Sequence, residues 1–140
     1  MNAITTIECT VRYAETDQMG LAYHANYLVW CDMARTAHLR ARGVSYRELE
    51  AGGLLLAVVE AQLRYRSPAR YDDRLRIRCW VRALATRRVE FGYAMEQAAS
   101  GQMVATARTA LIALDSHYAL TRIPEDVRAT LAPIPDPVRV

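Results

Sequence analysis

Apolar and polar positions along the chain repeat with two different periods, and the periods divide it into strands and helices. Ile7, Cys9, Val11 and Tyr13 alternate with Thr6, Glu8, Thr10 and Arg12, which predicts a half-buried first strand over Ile4 to Tyr13. From Tyr27 the spacing changes. Tyr27, Trp30, Cys31, Ala34, Ala37, His38 and Ala41 recur at steps of three and four, with Asp32, Arg35, Arg40 and Arg42 mostly on the other side. That is an amphipathic helix, and Gly43 ends it. Ser45, with Glu48 three residues on, forms a capping box for a short helix, Tyr46 to Ala51, that stops at Gly52-Gly53.

The strand period then returns. Leu54 to Arg66 reads as a long strand, apolar on both faces at first and alternating later, and Pro68 closes it. Arg74 to Leu84 carries the clearest alternation: Leu75, Ile77, Cys79, Val81 and Ala83 face one way, Arg74, Arg76, Arg78, Trp80 and Arg82 the other. After a tight Ala85-Thr86-Arg87 turn, Arg88 to Gln97 sets Val89, Phe91, Tyr93 and Met95 opposite Glu90 and Glu96. Pairing these two strands brings arginines against glutamates. Gln102 to Leu114 is a last, largely apolar strand. Pro124 at a first helical position opens a short helix to about Leu131, followed by a proline-punctuated tail. One strand, a long helix and then consecutive antiparallel strands define an α+β protein, a meander of about five strands wrapped around the helix. Such a sheet leaves an open edge, and a second copy would cover it, so at least a dimer is expected.

Composition adds limits. At 140 residues, 52% hydrophobic and 24% charged, the chain fits one globular domain over 1–140. Neither a signal-like start nor an apolar run long enough for a membrane span occurs, which leads us to expect a cytoplasmic protein. Cys9, Cys31 and Cys79 sit in apolar or strand-like surroundings without metal-ligand spacing and read as buried thiols. All 18 basic residues are arginine, balanced by 15 acids and dispersed along strands, a pattern that speaks against nucleic-acid binding.

The candidate chemistry lies between the first strand and the helix. Asp17 stands in a polar turn a few residues before the helix start, and Gly20 follows it. A helix N-terminus offers unpaired N–H groups to a developing oxyanion, and a carboxylate ahead of it supplies a base or nucleophile. The plainer reading is an ordinary turn acid beside a turn glycine. His24 reads as a general base or as a hydrogen-bonded structural residue. Tyr13, Tyr23, Asn26 and Tyr27 surround the motif, either lining a pocket or belonging to the core. Ser45 and Ser116-His117 belong to no nucleophile motif, and no G-x-S-x-G, zinc, phosphate-loop or nucleotide-cofactor fingerprint occurs.

The segment TDQMGLAYHANYL, followed by a helix ending LRARG, resembles the signature of the hotdog-fold acyl-CoA thioesterases. It is nearest to the 4-hydroxybenzoyl-CoA and Tol–Pal-associated groups. The stretch from Tyr65 to Asp73, YRSPARYDD, resembles the family's second motif. The resemblance implies a hotdog fold, hydrolysis of an acyl-CoA and no resident cofactor or metal, with coenzyme A entering as part of the substrate. It implies that Asp17 activates water or attacks the thioester carbonyl, that the backbone N–H of His24 polarises that carbonyl, and that Gly20 lets the loop approach. Tyr23, Asn26 and Tyr27 would then contact substrate, and Arg87 and Arg88 would meet the coenzyme's phosphates. Another hotdog branch carries its acid on the helix; Asp32 here lies too far along to serve the helix start. The resemblance also implies a dimer or tetramer. Its alternatives are a hotdog 3-hydroxyacyl-thioester dehydratase and a non-catalytic acyl-thioester-binding protein.

Overall fold

The computed structural model describes residues 2–140. Its elements are β1 (Thr5–Thr10), a 3-10 turn (Tyr13–Glu15), α1 (Asn26–Ala41), α2 (Tyr46–Ala51), β2 (Leu55–Tyr65), β3 (Arg74–Leu84), β4 (Arg88–Gln97), β5 (Met103–Leu114) and α3 (Glu125–Arg128). All strand pairs are antiparallel, in the order β1-β3-β4-β5-β2, and α1 packs across β1, β3 and β4. The predicted α+β hotdog architecture is the observed one.

Strand order departs from a simple meander. Only β3, β4 and β5 follow one another; β2 pairs with β5 at the far edge. Between β1 and β2 the chain makes the α1–α2 excursion across the concave face, and it rejoins the sheet on the opposite side. Among the described residues the outer edge of β2 is unpaired, and Val58 and Val59 there are about half exposed.

The first strand ends at Thr10, not at Tyr13. Val11 still pairs with the loop before β3, its amide donating to the Asp73 carbonyl, but Glu15 then folds the chain into a 3-10 turn by accepting from the Arg12 amide. Tyr13 is consequently exposed. A register shift between Val81 and Ala83 puts Ala83 opposite Glu90 on the outside, and Leu84 packs inward in its place. α3 is shorter than expected and Pro124 is its N-cap. The last turn tightens to three-residue bonds, Thr130 to Val127 and Leu131 to Arg128, and Leu131 remains buried.

The core joins Trp30, Cys31, Ala34 and Leu39 of α1 to Ile77, Phe91, Tyr93, Met95 and Leu111 of the sheet. Two arginines assigned by spacing to the polar side of α1 are buried instead, and Ala41, assigned inward, is exposed. Arg35 donates to the hydroxyls of Tyr46 (2.8 Å) and Tyr93 (3.1 Å) and to the Asp32 carboxylate. Arg42 donates to the carbonyls of His38 (2.9 Å) and Asn2 (2.6 Å). A guanidinium with its donors satisfied tolerates burial that an unpaired one would not. His38 is buried with neither ring nitrogen hydrogen-bonded among the described residues.

On the convex face the expected arginine–glutamate pairs form: Arg76 and Arg78 with Glu96, and Arg82 with Glu90. Trp80 shares that face yet is fully buried. Its indole lies over Gly92, where a Cβ would come within 2.5 Å of the ring, and it donates to Asp136 of the C-terminal tail at 2.9 Å.

Candidate active site

Asp17 organises its own turn. Its Oδ1 accepts from the amides of Met19 (2.9 Å) and Leu21 (3.3 Å), its amide donates to the Leu21 carbonyl, and the Gly20 amide donates back to the Asp17 carbonyl. Gly20 takes φ +77° with nothing near its missing Cβ, so backbone freedom, not space, selects glycine. Oδ2 has no hydrogen-bond partner among the described residues. One carboxylate oxygen therefore fixes the turn while the other stays available.

A residue that sequence reasoning passed over ties this turn to the helix. Glu15 is buried; its Oε1 accepts from the Arg12 amide (2.8 Å) and its Oε2 from the Trp30 indole (2.9 Å). Its backbone carbonyl accepts from the Tyr23 amide (2.7 Å) and from Nδ2 of Asn26 (2.8 Å). Burial alone would raise the Glu15 carboxyl, but these donors and the Arg12 guanidinium outweigh it and hold the group below its ordinary range. The only advance signal was an acid two residues before Asp17, in the polar turn that follows the predicted strand.

The second motif supplies the opposite wall. The Ala22 amide donates to the Ala69 carbonyl, Leu21 bridges Arg70, and the Tyr65 hydroxyl donates to the His24 carbonyl at 3.0 Å. Between these segments opens a cavity of about 350 Å³. Asp17, His24, Tyr27, Tyr65, Arg66 and Ser67 provide its polar atoms, while Met19, Leu21, Ala22 and Pro68 make much of the remaining wall apolar. The rings of Tyr27 and Tyr65 meet edge to face, with centroids 5.0 Å apart. Burial raises the Tyr27 phenol above its ordinary value, and the neighbouring Asp17 charge adds to the effect. Such a space suits an apolar or aromatic group ending in a polarisable bond.

Helix α1 begins at Asn26, and among the described residues the amides of His24 and Ala25 just before it have no hydrogen-bond acceptor. Donors of this kind can stabilise an oxyanion while the free Asp17 oxygen acts on the carbon or on a water. The remaining predicted residues fall elsewhere. Tyr23 is exposed and its ring meets that of His24 at a tilt of 51° (centroids 4.4 Å), outside the cavity wall. The Asn26 side chain is occupied by Glu15. Arg87 and Arg88 stand at the other end of the strands: Arg88 pairs with Ile112 whereas Tyr65 pairs with Ala105, about 23 Å away at some 3.3 Å per residue. Arg88 also meets Glu60 at 3.3 Å. The thiols are inert by environment: burial pushes Cys9 up to about 11 and Cys31 to about 12. Among the described residues no group of three or more His, Cys, Asp or Glu side chains is placed to hold a metal ion.

A helix packed on a five-stranded antiparallel sheet, with an acidic turn on the loop ahead of the helix, is the hotdog arrangement. The sequence agrees. The family described as the Thioesterase-like superfamily matches residues 11–131, and the chain belongs to that family. It is 41% identical over 86 residues to a putative acyl-CoA thioesterase, YneP, of Bacillus subtilis, covering 61% of this chain and 62% of that protein. It is 35% identical over 130 residues to a 1,4-dihydroxy-2-naphthoyl-CoA hydrolase of Thermosynechococcus vestitus, covering 92% and 82% respectively. The crystal structure of Slr0204, a 1,4-dihydroxy-2-naphthoyl-CoA thioesterase from Synechocystis, superposes with TM-score 0.86 at 25% identity over 91% of this chain and 95% of that one. No helix among the described residues is long and apolar enough to cross a membrane.

Proposed function

We propose that the protein is an acyl-CoA thioesterase that releases a free acid and coenzyme A, akin in its loop acid to the 4-hydroxybenzoyl-CoA group. The observation that carries this reading is the divided Asp17 carboxylate: one oxygen holds the turn and the other is unpartnered in a cavity that also reaches the helix start. In this reading the thioester carbonyl lies against the His24 amide, and Asp17 attacks its carbon directly or deprotonates the water that does. Tyr27 and Tyr65 flank the acyl group. No resident cofactor takes part, and coenzyme A leaves as product. The unpaired β2 edge supports assembly into a dimer or a tetramer of single-domain chains. Arg87 and Arg88 are assigned to coenzyme bound by a neighbouring copy, since within one chain they stand at the far end of the strands.

A panel of aliphatic and aromatic acyl-CoAs, assayed for thiol release, tests the proposal. Turnover of at least one class is expected, lost on Asp17→Asn. Absence of turnover on every member would sink it and favour the dehydratase or the binding protein.

A further inference from the structure

Most arginines of this chain's sheet are spent on acids. Arg76, Arg78, Arg82, Arg88 and Arg108 all face glutamates. Two arginines beside the Asp17 cavity differ: Arg66 and Arg70 are exposed, and neither is ion-paired among the described residues. Exposed guanidinium groups with no acid to meet are free to bind an anion bidentately.

Their placement follows from how β2 ends. The amides of Arg66 and Ser67 both converge on the Val104 carbonyl (2.8 and 3.1 Å), and Oγ of Ser67 donates to Met103 (2.7 Å). The ladder therefore stops in a fixed kink, and Arg66 comes round to line the cavity. Its guanidinium also donates to the Arg139 carbonyl of the tail at 3.5 Å. Arg64, next to the cavity residue Tyr65, alternates to the opposite, outer face of the sheet and takes no part. Arg70 bridges Leu21, itself a cavity residue, and bridged partners project to the same side.

We infer that Arg66, with Arg70, forms an anion-binding rim on the cavity, which takes the phosphate at the end of the substrate's pantetheine arm from within the same chain. The inference rests on the thioesterase reading. About a dozen bonds separate the thioester sulfur from the first phosphate, on the order of 15 Å when extended. An arm running from the Asp17 end to side chains that project outward from the rim has to cover the cavity and the reach of an arginine, which is a distance of that order. Coenzyme A and a phosphopantetheinylated carrier protein present this same phosphate.

Titration calorimetry at low ionic strength with coenzyme A, 4′-phosphopantetheine and pantetheine tests the rim without turnover. For Arg66→Gln we expect Kd for coenzyme A to rise about tenfold, the loss of one charge-assisted contact, with pantetheine unchanged. The combined Arg66→Gln/Arg70→Gln variant should lose more, and the difference should shrink in high salt. A matching loss for 4′-phosphopantetheine assigns the rim to the phosphate common to both carriers; a loss for coenzyme A alone would place the contact on the nucleotide and overturn the proposal. The proposal is overturned if the double variant binds coenzyme A like wild type, or if pantetheine weakens equally. It is also overturned if only Arg87→Ala/Arg88→Ala lowers affinity. Wild-type turnover on the acyl-CoA panel is read separately: rim-dependent binding without hydrolysis would sink the thioesterase reading and leave the rim standing.

Discussion

The chain builds the same acidic turn twice. At 17–21, Oδ1 of Asp17 accepts from the amides two and four residues on, the Asp17 amide donates to Leu21, and the residue at the third step, Gly20, has positive φ. At 115–119, Oδ1 of Asp115 accepts from His117 (2.8 Å) and Ala119 (3.0 Å), its amide donates to Ala119, and Tyr118 has φ +61°. The backbone pattern is shared and the surroundings are not. The first turn faces a cavity and a helix start and is braced through Glu15, whereas Asp115 follows Leu114 at the opposite end of β2 and β5 from Tyr65. A carboxylate that orders a turn is thus a local matter, and what makes one of the two a candidate catalyst is what the fold gathers around it.

The largest effect should separate the two aspartates. Asn keeps an oxygen for the turn and loses the charge, so Asp17→Asn should lower kcat about a hundredfold or more, while Asp115→Asn leaves it within twofold. Both variants should melt within a few degrees of wild type, because neither turn contributes much packing. Equal activity in the two variants would erase the distinction.

Acid must be kept from confusing that test. Burial, reinforced by the Arg42 guanidinium, lowers His38 from the ordinary imidazole value of 6.5 to about 4. The unfolded chain therefore takes up a proton that the folded chain refuses. Stability is full above about pH 6.5 and drains as pH falls towards 4, by up to about 3 kcal/mol. Denaturant titrations of wild type and His38→Leu across this window should show the steeper slope in wild type. Kinetics on Asp17 and Asp115 variants are cleanest above it.

Glu15→Gln sharpens the comparison from the other side. One amide oxygen cannot replace a carboxylate that takes the Arg12 amide on one oxygen and the buried Trp30 indole on the other, so a loss of about 1–3 kcal/mol is expected in urea denaturation. The kcat should fall as well, since the brace holds the Asp17 turn against α1; intact kcat with reduced stability would confine Glu15 to folding. The smallest change is Gly20→Ala, which meets no atom and costs only the left-handed backbone, about 1 kcal/mol in the same measurement.

Where alternation was strict, the sequence was enough. The bounds of α2, β3 and β4 and the arginine–glutamate ladder follow from local periodicity and turn residues, and the Asp17 turn follows from its acid and glycine. Long-range choices were hidden. Periodicity cannot say that β2 joins β5, because every pairing of apolar strands satisfies the same pattern. It cannot place Arg35 inside the protein, because the acceptors that permit this, Tyr46 and Tyr93, come from other elements. Glu15 escaped for the same reason, since its indole partner is fifteen positions away. Arg66 was legible as part of a motif but not as a cavity residue, because the kink at Val104 exists only once β5 is in place.

The two tryptophans give the molecule a pair of independent optical probes. Trp30 is buried on the helix side with its indole on Glu15, and Trp80 is buried on the outer side with its indole on Asp136. Each emission therefore reports a different attachment. In Trp80→Phe the surviving fluorescence follows the hold of the Asp17 loop on α1, and in Trp30→Phe it follows the docking of the tail, which reddens as the indole over Gly92 meets water.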